Sequence, residues 1–166
     1  MLLGLMAAGK TSIGRPVAEQ LGRELTDSDS WIEARTGHTV RELWEGGGEA
    51  AYRPLELQHL LEALASVEPL VIAAAAGTIL DPDARAGLVG PAAFTTWLRA
   101  DPAWLATKVG DQGHRPLLGD DPLAVLTQMH EERRGLYGEV ADLIVDVDST
   151  TRAKAVALVL AAYRLR

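Results

Sequence analysis

MLLGLMAAGKTSIG, residues 1–14, is the stretch on which the reading of the chain turns. Inside it GLMAAGKT, Gly4 to Thr11, carries the pattern G-x-x-x-x-G-K-[ST] in full. Glycines in such a loop let successive backbone N–H groups converge on an anion. The helix that follows adds its unsatisfied N–H groups and the positive end of its dipole. Lys10 would supply a mobile cation to the β- and γ-phosphates of a nucleotide, and Thr11 a hydroxyl to Mg²⁺. The flanks suit the pattern: Leu2–Leu5 is apolar, and residues 11–21 read as a helix with Ile13, Val17 and Leu21 on one face and Gly22 as its stop. Gly4, Ala7, Ala8, Gly9, Lys10, Thr11 and Ser12 are therefore the candidate nucleotide-binding residues, with Ala7 crowded if its φ has to be positive. Only Met1–Leu3 precede Gly4, whereas a central strand usually has about 5 residues. A short strand and a start further upstream both fit.

Outward from the loop, short apolar runs alternate with helical segments. Strands are expected at 24–27, 70–75, 93–98 and 143–147. Helices are expected at 30–35, 40–44, 49–65, 81–89, from 101 onward, 122–137 and 150–165. Leu55, Leu60, Leu61 and Leu64 are the expected core of the long helix, and Ala155, Leu158, Val159 and Ala162 that of the last. This order implies an α/β domain with a mainly parallel sheet.

With 166 residues the chain is expected to form a single domain. Its net charge of −7 argues against a nucleic-acid partner held by general electrostatics. There is no cysteine, so no disulfide or thiol chemistry, and the composition fits a cytoplasmic protein. No run approaches the ~18 apolar residues of a membrane span. The four histidines, His38, His59, His114 and His130, have no metal-ligand spacing and read as surface or structural groups.

The segment LTDSDSWIEARTGHTVRELWEGGGEAAYRPLE, residues 25–56, makes the match specific. Asp27-Ser28-Asp29, Ile32-Glu33, Gly37, Gly48-Glu49, Tyr52-Arg53 and Glu56 resemble, in order, the motifs of the shikimate kinases. Arg115-Pro116-Leu117-Leu118 resembles the lid motif of that family. Arg133, Leu136, Tyr137 and Ala141, followed by Val145-Asp146-Val147-Asp148, resemble its closing motifs. The resemblance spans essentially the whole chain. It implies a three-layer P-loop kinase fold with a five-stranded parallel sheet in the order 2-3-1-4-5. It also implies an acceptor-binding region at about 32–61, a lid at about 110–120, and a monomer that uses ATP and Mg²⁺ on a small-molecule acceptor, with no nucleic acid or membrane partner. By resemblance Asp27, with Thr11, would hold the metal, and Asp29 would orient or deprotonate the attacking hydroxyl. Arg53 and Arg133 would clamp the acceptor's carboxylate. Arg115 would reach the transferred phosphoryl group, and Lys108 would lie against the adenine. The catalytic set is then Lys10, Asp29 and Arg115. On spacing alone, Arg53 could instead pair with Glu49 or Glu56 one helical turn away.

One loop departs from the family. Where the family carries three glycines, this chain has Ala75-Ala76-Gly77. These three residues belong to the expected acceptor site, and alanine disfavours positive φ. Three readings stay open: a shikimate kinase that tolerates the alanines, a kinase of the same fold for another cyclitol or polyol, and a nucleotide-binding protein without catalysis. Retention of Lys10, Asp29 and Arg115 weighs against the third.

Overall fold

The computed structural model describes residues 1–90, 93–109, 118–119 and 121–166. Five strands, β1 (Leu2–Leu3), β2 (Leu25–Asp27), β3 (Val71–Ala73), β4 (Thr96–Arg99) and β5 (Leu143–Asp146), form one sheet in the order β2-β3-β1-β4-β5. All neighbours are parallel: Leu2 lies opposite both Ala73 and Thr96, Thr26 opposite Ile72, and Trp97 opposite Ile144. β1 is short, yet it is tied in on both sides, with Thr96 N–H donating to Met1 O and Ala74 N–H to Leu2 O.

Consecutive residues of the inner strands, Leu2-Leu3, Val71-Ile72-Ala73 and Thr96-Trp97-Leu98, are all buried. Neighbouring side chains on a strand point to opposite faces, so both faces of the sheet are covered and the domain has three layers. The covering helices are α1 (Lys10–Leu21), α2 (Ser28–Thr36), α3 (Val40–Leu64), α4 (Pro82–Leu88), α5 (Pro102–Lys108), α6 (Pro122–Val140) and α7 (Arg152–Arg164). A 3₁₀ turn, Thr78–Leu80, follows β3. α1 packs against α7, α2 against α3, and α5 against α6. Asp81, Asp101 and Asp121 each cap a helix whose first residue is proline, a residue that lacks the N–H a first turn leaves unbonded anyway. Among the described residues no helix is long and apolar enough to cross a membrane.

The expected architecture and strand order are met, and the differences from the sequence reading are local. α2 begins at Ser28 rather than Ser30, because the Asp27 carboxylate accepts N–H bonds from Asp29 and Ser30. The helices expected at 40–44 and 49–65 meet in α3 as two pieces joined at Gly48, whose φ of 58° and ψ of −152° no other residue type adopts readily. Beyond that kink its inward stripe is Tyr52, Glu56, His59 and Leu60, while Leu61 is 45% exposed. The expected leucine stripe is thus rotated, because the buried polar groups have partners: Tyr52 and His59 across the interface and Glu56 on Arg53 of the same helix. Likewise α7 buries Ala155, Val156, Val159 and Leu160 and exposes Leu158.

Candidate active site

The phosphate loop lies between β1 and α1, at the carboxyl end of the central strand. Gly4, Ala7 and Gly9 adopt φ of 141°, 63° and 85°. Ala7 is the only non-glycine with positive φ among the described residues, so the expected crowding is real. Gly9 is the N-cap of α1 and offers no side chain to the first-turn N–H groups. Those donors point into the loop, an arrangement that suits an anion. Lys10 folds back over the loop, its Nζ donating to the carbonyls of Gly4 at 2.9 Å and Leu5 at 3.0 Å. Ser12 Oγ donates to Gly9 O.

One helical turn into the site, Thr11 Oγ1 donates to Asp27 Oδ2 at 2.5 Å. The other oxygen of Asp27 caps α2 through the N–H groups of Asp29 and Ser30. A hydroxyl and a carboxylate held together in this way are hard oxygen ligands, which fit a divalent cation such as Mg²⁺ completed by water and phosphate oxygens.

Beside the loop lies a cavity of ≈ 100 Å³ lined by Lys10, Asp27, Asp29, Arg53, Arg133 and the segment 73–77, with Met6, Trp44, Tyr52 and Met129 as its apolar wall. A larger cavity of ≈ 330 Å³, between Leu64, Phe94 and Tyr163, contains none of the expected site residues. Arg53 sits between two carboxylates, Glu56 at 2.7 Å and Glu49 at 2.5 Å. Both pairings anticipated from helical spacing therefore exist. Glu56 is only 2% exposed, and that burial pushes its pKa above 4.5, although the Arg53 guanidinium pulls the other way. Arg133, 4% exposed, donates from Nη1 to Ala76 O at 3.2 Å, while its buried Nε has no hydrogen-bond partner among the described residues. Tyr137 donates to the same carbonyl at 2.9 Å.

The Ala75-Ala76-Gly77 loop resolves the conformational question its sequence poses. Neither alanine has positive φ, so neither is strained. Gly77 also has negative φ, −86°, but for it space decides: a Cβ there would fall 1.5 Å from Arg53 Nη1 and 2.7 Å from Glu56 Oε2. Of the three positions Gly77 is the one whose added Cβ would displace a neighbour, the guanidinium of Arg53. The loop is fixed from below by Ser28, whose Oγ accepts Ala75 N–H at 3.0 Å. Ser28 in turn shares a 2.8 Å bond with His59 Nδ1, and His59 Nε2 meets Thr26 Oγ1 at 2.8 Å. Burial lowers the His59 pKa below 6.5, in keeping with a neutral ring between two hydroxyls. His59 is thus the structural histidine expected, with a definite task.

Lys10, Asp27, Asp29, Arg53, Ala75, Ala76, Gly77 and Arg133 line this one cavity, and Thr11 adjoins it through Asp27; of the expected acceptor-side residues only Arg53 comes from the segment 32–61. Lys108 lies apart at the end of α5, its ammonium 5.1 Å from the Trp104 ring. Arg115 and all of the expected lid except Leu118 and Gly119 lie outside the described residues. Tyr52, Glu56, Ser28 and His59 were not singled out as site residues. The first two stand in the run Gly48-Glu49, Tyr52-Arg53 and Glu56, which is their signal in the sequence. Ser28 and His59 carry no local signal, because their roles exist only once α3 lies on β2.

The model of the shikimate kinase family matches residues 6–164 of the chain. Shikimate kinase of Thermobifida fusca is 40% identical over 159 residues, covering 96% of this chain and 91% of that protein. Shikimate kinase of Caulobacter vibrioides is 36% identical over 165 residues, 99% of this chain and 81% of that one. Among solved structures, shikimate kinase from Acinetobacter baumannii in complex with shikimate superposes with a TM-score of 0.92 at 31% identity, covering 99% of this chain and 91% of that chain.

Proposed function

The chain belongs to the shikimate kinase family, and from that premise we propose that it transfers the γ-phosphoryl group of ATP to a hydroxyl of shikimate, giving shikimate 3-phosphate and ADP. The observation that carries the reading is a single cavity in which one carboxylate, Asp29, and two arginines, Arg53 and Arg133, adjoin the phosphate loop. Phosphoryl transfer asks for positioning and charge neutralisation more than covalent help. An acceptor with a carboxylate at one end and a hydroxyl at the other answers to that layout.

Arg53 and Arg133 bind the acceptor carboxylate by charge-assisted hydrogen bonds. Glu56, being buried, stays on Arg53, while Glu49, whose side chain is 62% exposed, gives way to the acceptor. The backbone of Ala75, Ala76 and Gly77 forms the floor beneath that carboxylate. Asp29 accepts the proton of the attacking hydroxyl as its oxygen bonds to phosphorus and the bond to the ADP oxygen breaks. Lys10 exchanges the Gly4 and Leu5 carbonyls for phosphate oxygens. The N–H groups of Gly4–Ser12 cradle the phosphates. Thr11 and Asp27 would hold Mg²⁺, which when bound would neutralise charge on the phosphates. Arg115 on the lid and Lys108 at the adenine keep the roles that family resemblance gives them. In this reading residues 1–166 work as one domain and as a monomer in the cytoplasm, where ATP is at hand.

The test is ADP release from ATP and Mg²⁺ with and without shikimate. Shikimate-dependent release is expected. Release that ignores shikimate but rises with another cyclitol or polyol acid would overturn the choice of acceptor.

A further inference from the structure

Asp29 opens α2 and is exposed, so its carboxylate would turn freely in water if nothing held it. One group does. Tyr52 donates its hydroxyl to Asp29 Oδ1 at 2.7 Å, and no other side chain among the described residues hydrogen-bonds this carboxylate. The donor is itself rigid. Tyr52 is 3% exposed, lies on the inward stripe of α3, and meets the edge of Trp44 with ring centroids 6.0 Å apart at 74°. Arg53, one residue on, covers the same Trp44 ring at 5.9 Å. Burial first, and then the charges of Asp29 and Glu56, push the Tyr52 pKa far above 10, so the phenol keeps its proton at any working pH and can only donate to Asp29.

We infer that Tyr52 is a positioning residue for phosphoryl transfer: its hydroxyl occupies Oδ1 of Asp29, fixes the plane of the carboxylate and leaves Oδ2 to take the proton of the acceptor hydroxyl. This deepens the function proposed above and rests on it. A carboxylate that can rotate meets the hydroxyl with either oxygen and in many orientations. One pinned at Oδ1 presents a single acceptor in a fixed direction, and the gain appears in the transition state, where the proton moves. Phenylalanine at this position would fill the same space against Trp44 and do none of this.

The test is Tyr52→Phe, which keeps the ring and its packing. Its kcat with shikimate should fall about tenfold, the low end of what one charge-assisted hydrogen bond contributes. KM for shikimate should move less than about twofold, because Arg53 and Arg133 are untouched. In an Asp29→Asn background the same change should have no further effect, since there is no carboxylate to orient. Unchanged kcat in Tyr52→Phe, or an equal loss in the Asp29→Asn background, would overturn the inference and leave Tyr52 a packing residue. Crystal structures of the wild type and Tyr52→Phe decide the same point without any acceptor. One carboxylate orientation in the wild type and several in the variant are expected, and a single shared orientation would refute the lock. A wild-type enzyme inactive on shikimate would overturn the choice of acceptor alone and leave that structural comparison to decide the role of Tyr52.

Discussion

Gly77→Ala should separate the glycine of the β3 loop that lies under Arg53 from the two alanines beside it. The added methyl would sit 1.5 Å from Arg53 Nη1 and 2.3 Å from its Cζ. To reach ordinary contact the guanidinium must retreat by roughly 2 Å. That movement breaks the 2.7 Å bond to Glu56 and strands a carboxylate that is 2% exposed. Breaking such a buried pair costs about 3 kcal/mol when the charge stays, and less when the carboxylate takes up a proton instead. Arg53 is also drawn away from the acceptor carboxylate, and loss of one charge-assisted pairing of about 2.7 kcal/mol raises KM about 100-fold. Steady-state ADP release at varied shikimate and fixed ATP reads this directly, with KM for ATP unchanged as the internal control. Ala75→Gly and Ala76→Gly should leave both constants within about twofold, as neither residue has a φ that glycine would relieve. A Gly77→Ala enzyme whose shikimate KM stays within about threefold of wild type would refute the reasoning, because the 100-fold figure follows from Arg53 being displaced.

Two further expectations follow from strain and burial away from the acceptor. Ala7→Gly removes a non-glycine φ of 63° and should stabilise the fold by about 1 kcal/mol, read as a rise in Tm of about 3 °C. A Tm that falls would show the loop to be unstrained. His59 binds a proton less readily folded than unfolded, because burial lowers its pKa below 6.5. The stability it contributes is therefore present above pH 6.5 and lost as pH falls through 6.5 toward the folded value. Wild type should lose stability relative to His59→Gln over that acid range in urea titrations, and parallel curves would contradict a buried neutral histidine.

What the chain discloses in sequence is what chemistry fixes at short spacing. G-x-x-x-x-G-K-T, Asp27-x-Asp29 and the Tyr52-Arg53…Glu56 run each depend on neighbours within a turn or two, so their residues could be named before any fold was known. The sheet order came from the resemblance, not from periodicity. Hydropathy misplaced the inner face of α3, choosing Leu61 over Glu56 and His59. A histidine between Thr26 and Ser28 and a glutamate on Arg53 are polar only until their partners arrive from β2 and from the same helix. The alanine pair looked like an obstacle because φ cannot be read from letters. In the fold both residues are unstrained, and the demand for glycine falls on Gly77, where Arg53 lies across the backbone. The bond from Tyr52 to Asp29 is hidden for a related reason: the two residues lie 23 positions apart, and only the folded cavity brings the hydroxyl onto the carboxylate.

The decisive measurement is ³¹P NMR of the enzyme with ATP, Mg²⁺ and shikimate. A new phosphomonoester resonance growing in step with ADP, and absent when Mg²⁺ is withheld, is the predicted result. ADP accompanied only by inorganic phosphate, or a phosphomonoester that forms equally well without shikimate, would contradict transfer to an acceptor held between Asp29 and the two arginines.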